Sequence, residues 1–186
     1  MLFFFLLLNL TTPKEDLRFQ YINEQQYDTS CGCSTTASLL TLYWNIDVSE
    51  EDIVDKYIYE KIENQDYGTS LADLSKILND YAIANKAYSM DFHQLLDVNQ
   101  KYFPVIVHYN KPDDHFALVL GIRGDNIITA DPARGVEILS TEQFLNRWSN
   151  VVLLSASKEM EINKDLVLKA VSVAVSRKEN LERWTW

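Results

Sequence analysis

Val105-Ile106-Val107-His108-Tyr109, then Asn110-Lys111-Pro112-Asp113-Asp114, then His115-Phe116-Ala117-Leu118-Val119-Leu120-Gly121-Ile122 decide the fold of this chain. The outer two runs are apolar and rich in β-branched residues, and the middle one has turn chemistry. Arg123-Gly124-Asp125-Asn126 turns again, Ile127 to Asp131 runs back, and Arg134-Gly135 turns into Val136 to Leu139. Asp131 precedes Pro132, which biases it to extended geometry at a strand end. Short strands joined by short polar turns make an antiparallel meander. After it, Ser140 with Gln143 caps a short helix through Phe144, Leu145 and Trp148, and Val151 to Leu154 is a last strand.

Upstream of the meander the period is helical. Behind the cap candidates Asp28-Thr29-Ser30, Ala37, Leu40, Tyr43 and Trp44 fall at helical spacing. Ser49-Glu50-Glu51-Asp52 reads as a capping box before Ile53, Tyr57 and Ile58. Ser70 with Asp73 opens a helix carrying Leu71, Leu74, Ile77, Leu78 and Tyr81, and Asp91 to Tyr102 reads as one more. Helices first and strands second indicate an α+β domain, not a parallel α/β sheet.

At 186 residues the chain has the size of one ordinary domain. Its 17 basic and 27 acidic side chains give a net charge of −10, which argues against nucleic acid or an anionic membrane surface as the main partner. Two cysteines, Cys31 and Cys33, one residue apart, exclude a disulfide scaffold. His93, His108 and His115 with that Cys-x-Cys lack the paired spacings of a zinc site, so no metal is expected. Met1 to Leu8 is almost purely apolar but far short of the ~20 residues that span a bilayer. It has the length of a signal-peptide core, without a preceding Lys or Arg and without an A-x-A site. An export signal, a membrane-tethering stub and a buried first element compete, and export (periplasmic or extracellular) or tethering is the expectation, with the cytoplasm left open. The tail from Met160 to Trp186 is expected to be helical and to lie outside the catalytic core.

Chemistry needs a nucleophile, a base and an oxyanion donor. Cys31 sits where a helix begins, where the dipole favours a thiolate, and Gly32, Cys33 and Ser34 leave space beside it. The simpler reading is a buried thiol, which suits Cys33 better. His115 leads a buried strand and Asp131 ends the next one, so a hairpin can join imidazole and carboxylate; each alone reads as an ordinary structural residue. Asp113 and Asp114 read as solvated turn residues, and His93 and His108 have no partner at a telling spacing.

Together these elements match a known pattern. Gln25-Gln26-Tyr27-Asp28-Thr29-Ser30-Cys31-Gly32 resembles the Q-x(5)-C-G opening of the C39 cysteine peptidases, the bacteriocin-processing, double-glycine-leader family. His115 to Ile122 is similar to its H-F-x-V-[VL]-x-G-[IV] strand, and Ala130-Asp131-Pro132-Ala133-Arg134-Gly135 to its D-P-A-x-G turn. Phe144 and Trp148 resemble its closing F-x(3)-W, and Gly68 to Leu74 a segment of stand-alone members. The resemblance covers Gln25 to Leu154, and Cys33 departs from it, standing where the family has an apolar or small residue such as Leu, Pro or Ala. It implies a papain-like α+β fold, with Cys31 as nucleophile, His115 as base and then acid, Asp131 as orienter and Gln25 as oxyanion donor. It implies no cofactor or metal, and a peptide or protein substrate cut after small residues such as Gly-Gly. The expected layout is a signal or anchor and lead-in over 1–20, a peptidase domain over 21–157 and a helical extension over 158–186. Without spanning segments or a G-x(4)-G-K-[ST] phosphate loop, a free-standing member is expected. A non-catalytic substrate-binding module and a papain-like acyl or peptidyl transferase are the rival readings.

Overall fold

The computed structural model describes residues 18–59, 61 and 68–183. The apolar segment Met1 to Leu8 lies outside the described residues. Helix α1 (Cys31–Ser38) continues into a π-helical turn (Leu39–Tyr43), and α2 (Glu50–Ile53) into another (Val54–Ile58). Then come α3 (Leu71–Asp80), β1 (Ala84–Ser89), α4 (Phe92–Asn99), β2 (Val105–Tyr109), β3 (His115–Arg123), β4 (Asn126–Asp131) and β5 (Gly135–Ser140). The chain closes with α5 (Thr141–Arg147), β6 (Trp148–Ala156) and α6 (Lys164–Arg183). The strands form one six-stranded sheet in the order β1-β6-β2-β3-β4-β5, each neighbouring pair antiparallel.

The period-two alternation of the strands divides the core into two layers. Ile106, Phe116, Leu118, Leu120, Ile128 and Leu153 join Ala37, Leu40 and Tyr43 in one cluster. Val105, Val107, Val119, Ile127 and Val152 join Leu95 of α4 and Phe144 of α5 in the other. Capping is explicit at Ser49, Ser70, Asp91 and Ser140, each in a reciprocal box with the residue three positions on. A cap of this kind is worth about 1 kcal/mol.

Three features differ from the sequence reading. The strand β1, Ala-Asn-Lys-Ala-Tyr-Ser, was not expected: it is mostly exposed, polar and an edge, and its order comes from pairing with β6. Trp148 begins β6 and does not end the helix before it. The tail helix α6 is not an appendage: Val167, Ala170, Val171 and Ala174, at helical spacing, enter the same core cluster as α1. A Cβ on Gly121 would lie 2.8 Å from Val171 Cγ2, so this glycine lets α6 approach β3.

Candidate active site

The start of α1 and the start of β3 meet at one end of the sheet. Nearly all of α1 is buried (Gly32 through Ser38), and its small side chains let it pack closely on β3. Thr35 Oγ1 donates to the Phe116 carbonyl at 3.1 Å, which locks the helix one residue away from His115. Across β3 and β4, His115 Nε2 and Asp131 Oδ1 are 2.9 Å apart. With Nε2 on the carboxylate, Nδ1 is the ring nitrogen left for Cys31, which lines the same groove as His115. The structure therefore brings Cys31 and the His115–Asp131 pair to the same groove.

Asp131 is only 1% exposed. Its Oδ1 also accepts the Ala133 N–H at 2.8 Å, closing an Asx turn over Pro132, while Oδ2 is buried without a partner. A carboxylate so poorly hydrated is balanced best by a cation on the imidazole. Burial alone would pull the His115 imidazolium down, but the hydrogen bonds to Asp131 and Cys31 and their charges outweigh it, raising its pKa to about 9.

Behind the imidazole stands an aromatic wall, of which sequence reasoning singled out Phe144 and Trp148 but not Tyr109. The Tyr109 ring, paired in register with His115, stacks on it at 6.4 Å with 13° between planes. Tyr109 meets Phe144 edge-on at 6.1 Å, and Phe144 lies 5.3 Å from Trp148. Two of the motif residues thus support the histidine through Tyr109. Burial pushes the Tyr109 phenol well above its usual range, so it stays neutral. Its only sequence signal was an aromatic residue directly across the hairpin from His115.

Gly32 admits a second wall. A Cβ there would sit 2.7 Å from Thr69 Cβ, so glycine is needed for the Gly68–Ser70 segment to cross the start of α1. A groove of about 900 Å³ runs between this segment and the hairpin, past Cys31, His115, His108 and Arg134. Cys33 points away from it, fully buried, with Sγ 3.6 Å from Thr69 Oγ1, and burial raises its thiol to about 11. The two thiols therefore differ in access. Substoichiometric iodoacetamide near neutral pH, followed by peptide mapping, is expected to label Cys31 first; preferential label on Cys33 would reverse the assignment.

Gln25 is tied to the same end. Its backbone N–H donates to the Pro132 carbonyl at 2.9 Å, fixing the segment before Cys31 to the turn that holds Asp131. The side-chain Nε2 donates to the Tyr27 carbonyl at 3.2 Å, and Oε1 is buried without a partner. Nε2 carries two N–H groups, so one remains beyond the Tyr27 bond. Asp113 and Asp114 are exposed, as expected of turn residues. His108 does have partners: Ser149 Oγ at 2.9 Å and Asp114 at 3.4 Å. Burial, only partly opposed by Asp114, lowers its pKa below the usual 6.5. His93 is exposed on α4.

A helix-borne cysteine packed against an antiparallel sheet that bears a histidine is the architecture of papain-like cysteine peptidases. The chain belongs to the Peptidase C39 family, whose model matches residues 19–160. Among curated relatives it is 27% identical over 138 residues to the "Probable functional amyloid protease FapD" of Pseudomonas fluorescens, covering 73% of this chain. The chain spans 60% of that relative's length. Among solved structures it is similar to the peptidase domain of Streptococcus ComA, a bi-functional ABC transporter (TM-score 0.62, 20% identity, 74% of this chain and 98% of that one). It is also similar to a double glycine motif protease from an AMS/PCAT transporter in complex with the leader peptide (TM-score 0.61, 21% identity, 72% and 89%). Among the described residues no helix is long and apolar enough to cross a membrane.

Proposed function

We propose that this chain is a thiol endopeptidase in which Cys31 attacks, His115 relays the proton, Asp131 holds the imidazole and Gln25 helps bind the oxyanion. The observation that carries the reading is the bond from His115 to the buried Asp131 at 2.9 Å, with Cys31 and His115 lining one groove. His115 takes the proton of Cys31, which leaves the negative charge on Sγ. Sγ adds to the peptide carbonyl carbon, and the charge that develops on oxygen meets the Cys31 backbone N–H and the second Gln25 N–H. His115 gives its proton to the leaving amine as the carbon–nitrogen bond breaks, leaving a thioester on Cys31. Water, deprotonated by His115, then attacks the thioester carbon, and Sγ departs as the thiolate. No step calls for a metal or cofactor.

The proposed substrate is a peptide cut after small residues such as Gly-Gly, since a relative of the same fold is a double glycine motif protease with a leader peptide bound. The Gly68–Ser70 segment, which lies close over Gly32, walls the groove beside Cys31 and is the side on which small substrate residues would sit. Incubation with a Gly-Gly-containing peptide library, read by mass spectrometry, tests this. Hydrolysed peptides support it; transferred acyl groups point to a transferase, and untouched peptides to a binding module. The peptidase domain is proposed to span 21–157, with 158–186 a helical extension packed onto its core, and Met1 to Leu8 is proposed to serve as an export signal or tether. N-terminal sequencing from the native host is expected to find a start beyond about residue 12, outside the cytoplasm. Intact Met1 in the soluble cytoplasmic fraction would contradict export.

A further inference from the structure

A serine that precedes a helix normally turns its hydroxyl inward, accepting from the N–H of the second or third helical residue. Ser49, Ser70 and Ser140 do so, as does Asp91, with extended backbone at each cap. Ser30, directly before Cys31, does not: its backbone is at φ −99° and ψ 14°, and its side chain makes no capping bond. Its hydroxyl is committed elsewhere, to the Tyr27 carbonyl at 2.8 Å and to the carboxylate of Glu50.

Glu50 is the first residue of α2 and only 7% exposed. Apart from Ser30 it accepts the backbone N–H of Gln26, at 3.2 Å on one oxygen and 3.1 Å on the other. One buried carboxylate therefore holds both ends of the short loop from Gln25 to Cys31. The sequence gives no hint of this, because Glu50 sits in an acidic first turn of the kind that ordinarily faces water.

We propose that Glu50 is a positioning residue for the oxyanion site, drawing the Ser30 hydroxyl off the end of α1 and pinning Gln26. The first-turn N–H groups of α1 have no intrahelical acceptor, and a capping hydroxyl would occupy the space in front of them. With Ser30 turned away, the N–H of Cys31, the first-turn residue that lines the groove, stays open to the substrate carbonyl oxygen, and Gln25, one residue from the Gln26 clamp, is held at the same end. The inference rests on the peptidase reading for the identity of that oxygen, but it predicts geometry at Cys31 whatever the fate of the acyl group.

Two measurements separate the claims. A peptide aldehyde ending in Gly-glycinal adds Cys31 Sγ to its carbonyl carbon, the thiol proton passing through His115 to the oxygen, so its binding reads the oxyanion site without hydrolysis. Glu50→Gln keeps the side chain's shape but replaces one acceptor oxygen with a donor. It is expected to weaken aldehyde binding and to lower kcat by about 10²-fold, the scale of a small misplacement of reacting groups, with KM within about twofold. Its rate of labelling by iodoacetamide, which forms no oxyanion, is expected to stay at the wild-type value. Ser30→Ala, which leaves no hydroxyl to cap α1 and leaves the Glu50 carboxylate on the Gln26 N–H, is the second variant and is expected to keep aldehyde binding and kcat within about threefold of wild type. Normal aldehyde binding by a folded Glu50→Gln variant would overturn the proposal, as would a loss matched by an equal loss of labelling in both variants. Should the wild type bind the aldehyde yet cut no peptide, the peptidase reading fails while a weakened Glu50→Gln complex still supports the positioning role.

Discussion

Replacing Asp131 with asparagine is expected to leave the fold intact and lower kcat/KM at pH 8 by on the order of 10²-fold or more. The asparagine Oδ1 can still accept from His115 Nε2 and from the Ala133 N–H, the two bonds that Asp131 Oδ1 makes at 2.9 and 2.8 Å. What disappears is the negative charge. Burial, which on its own lowers the imidazolium pKa, is then opposed by Cys31 alone, so the value falls from about 9. The sign follows directly. The protonated imidazole is present below its pKa, so wild-type kcat/KM is expected to fall as pH rises through about 9, and the variant's alkaline limb to begin at lower pH. Stability follows the same group: a pKa raised by folding contributes fully below the unfolded value of about 6.5, and the contribution fades as pH rises through about 9. A pH–rate profile of both proteins checks the shift. An unmoved limb, or a larger loss from Asp113→Asn or Asp114→Asn, would mean that the orienter is another carboxylate.

The meander was legible because burial and hydrogen bonding agree locally there. From Val105 to Leu139 apolar residues alternate or run together between turns of Asn, Asp, Pro and Gly, and each strand is paired with its sequence neighbour. That arrangement also made the pair His115 and Asp131 readable, since one hairpin must join them. What escaped was created by distant contact. Strand β1 has no apolar face and exists because β6 offers its backbone bonds. The π-helical turn at Leu39–Tyr43 leaves no period in the sequence; it is fixed where Trp44 N–H reaches the Leu39 carbonyl at 3.1 Å and Thr41 Oγ1 reaches the Val48 carbonyl at 2.6 Å. Glu50 reads as one of three acidic residues in a helix's first turn, and only the fold shows that it alone of the three is buried. Cys33 is the opposite case: its nearness to Cys31 in sequence makes it a rival nucleophile until the helix turns it into the core.

Gln25→Ala is expected to separate oxyanion binding from nucleophile activation. The Gln25 side chain touches neither His115 nor Asp131 through any bond the site requires, and its backbone bond to the Pro132 carbonyl survives truncation. The loop should therefore hold. Loss of the Nε2 donor removes an interaction made only when charge develops on the carbonyl oxygen, which costs roughly 10²–10³ in turnover, or about 3–4 kcal/mol. Alkylation of Cys31 passes through no oxyanion, so its rate is expected to stay near wild type. Against this stands the bond from Nε2 to the Tyr27 carbonyl at 3.2 Å, which gives the side chain an ordinary loop-closing role as well. A loop-closing role alone would let Cys31 wander and slow both reactions together. The exposed neighbour Gln26 offers the control, because its backbone N–H, the group that Glu50 holds, is kept in Gln26→Ala. Gln26→Ala is expected to match wild type in peptide cleavage and in labelling. Normal cleavage by Gln25→Ala would remove the side chain from the oxyanion site and leave the N–H groups of α1 as its donors.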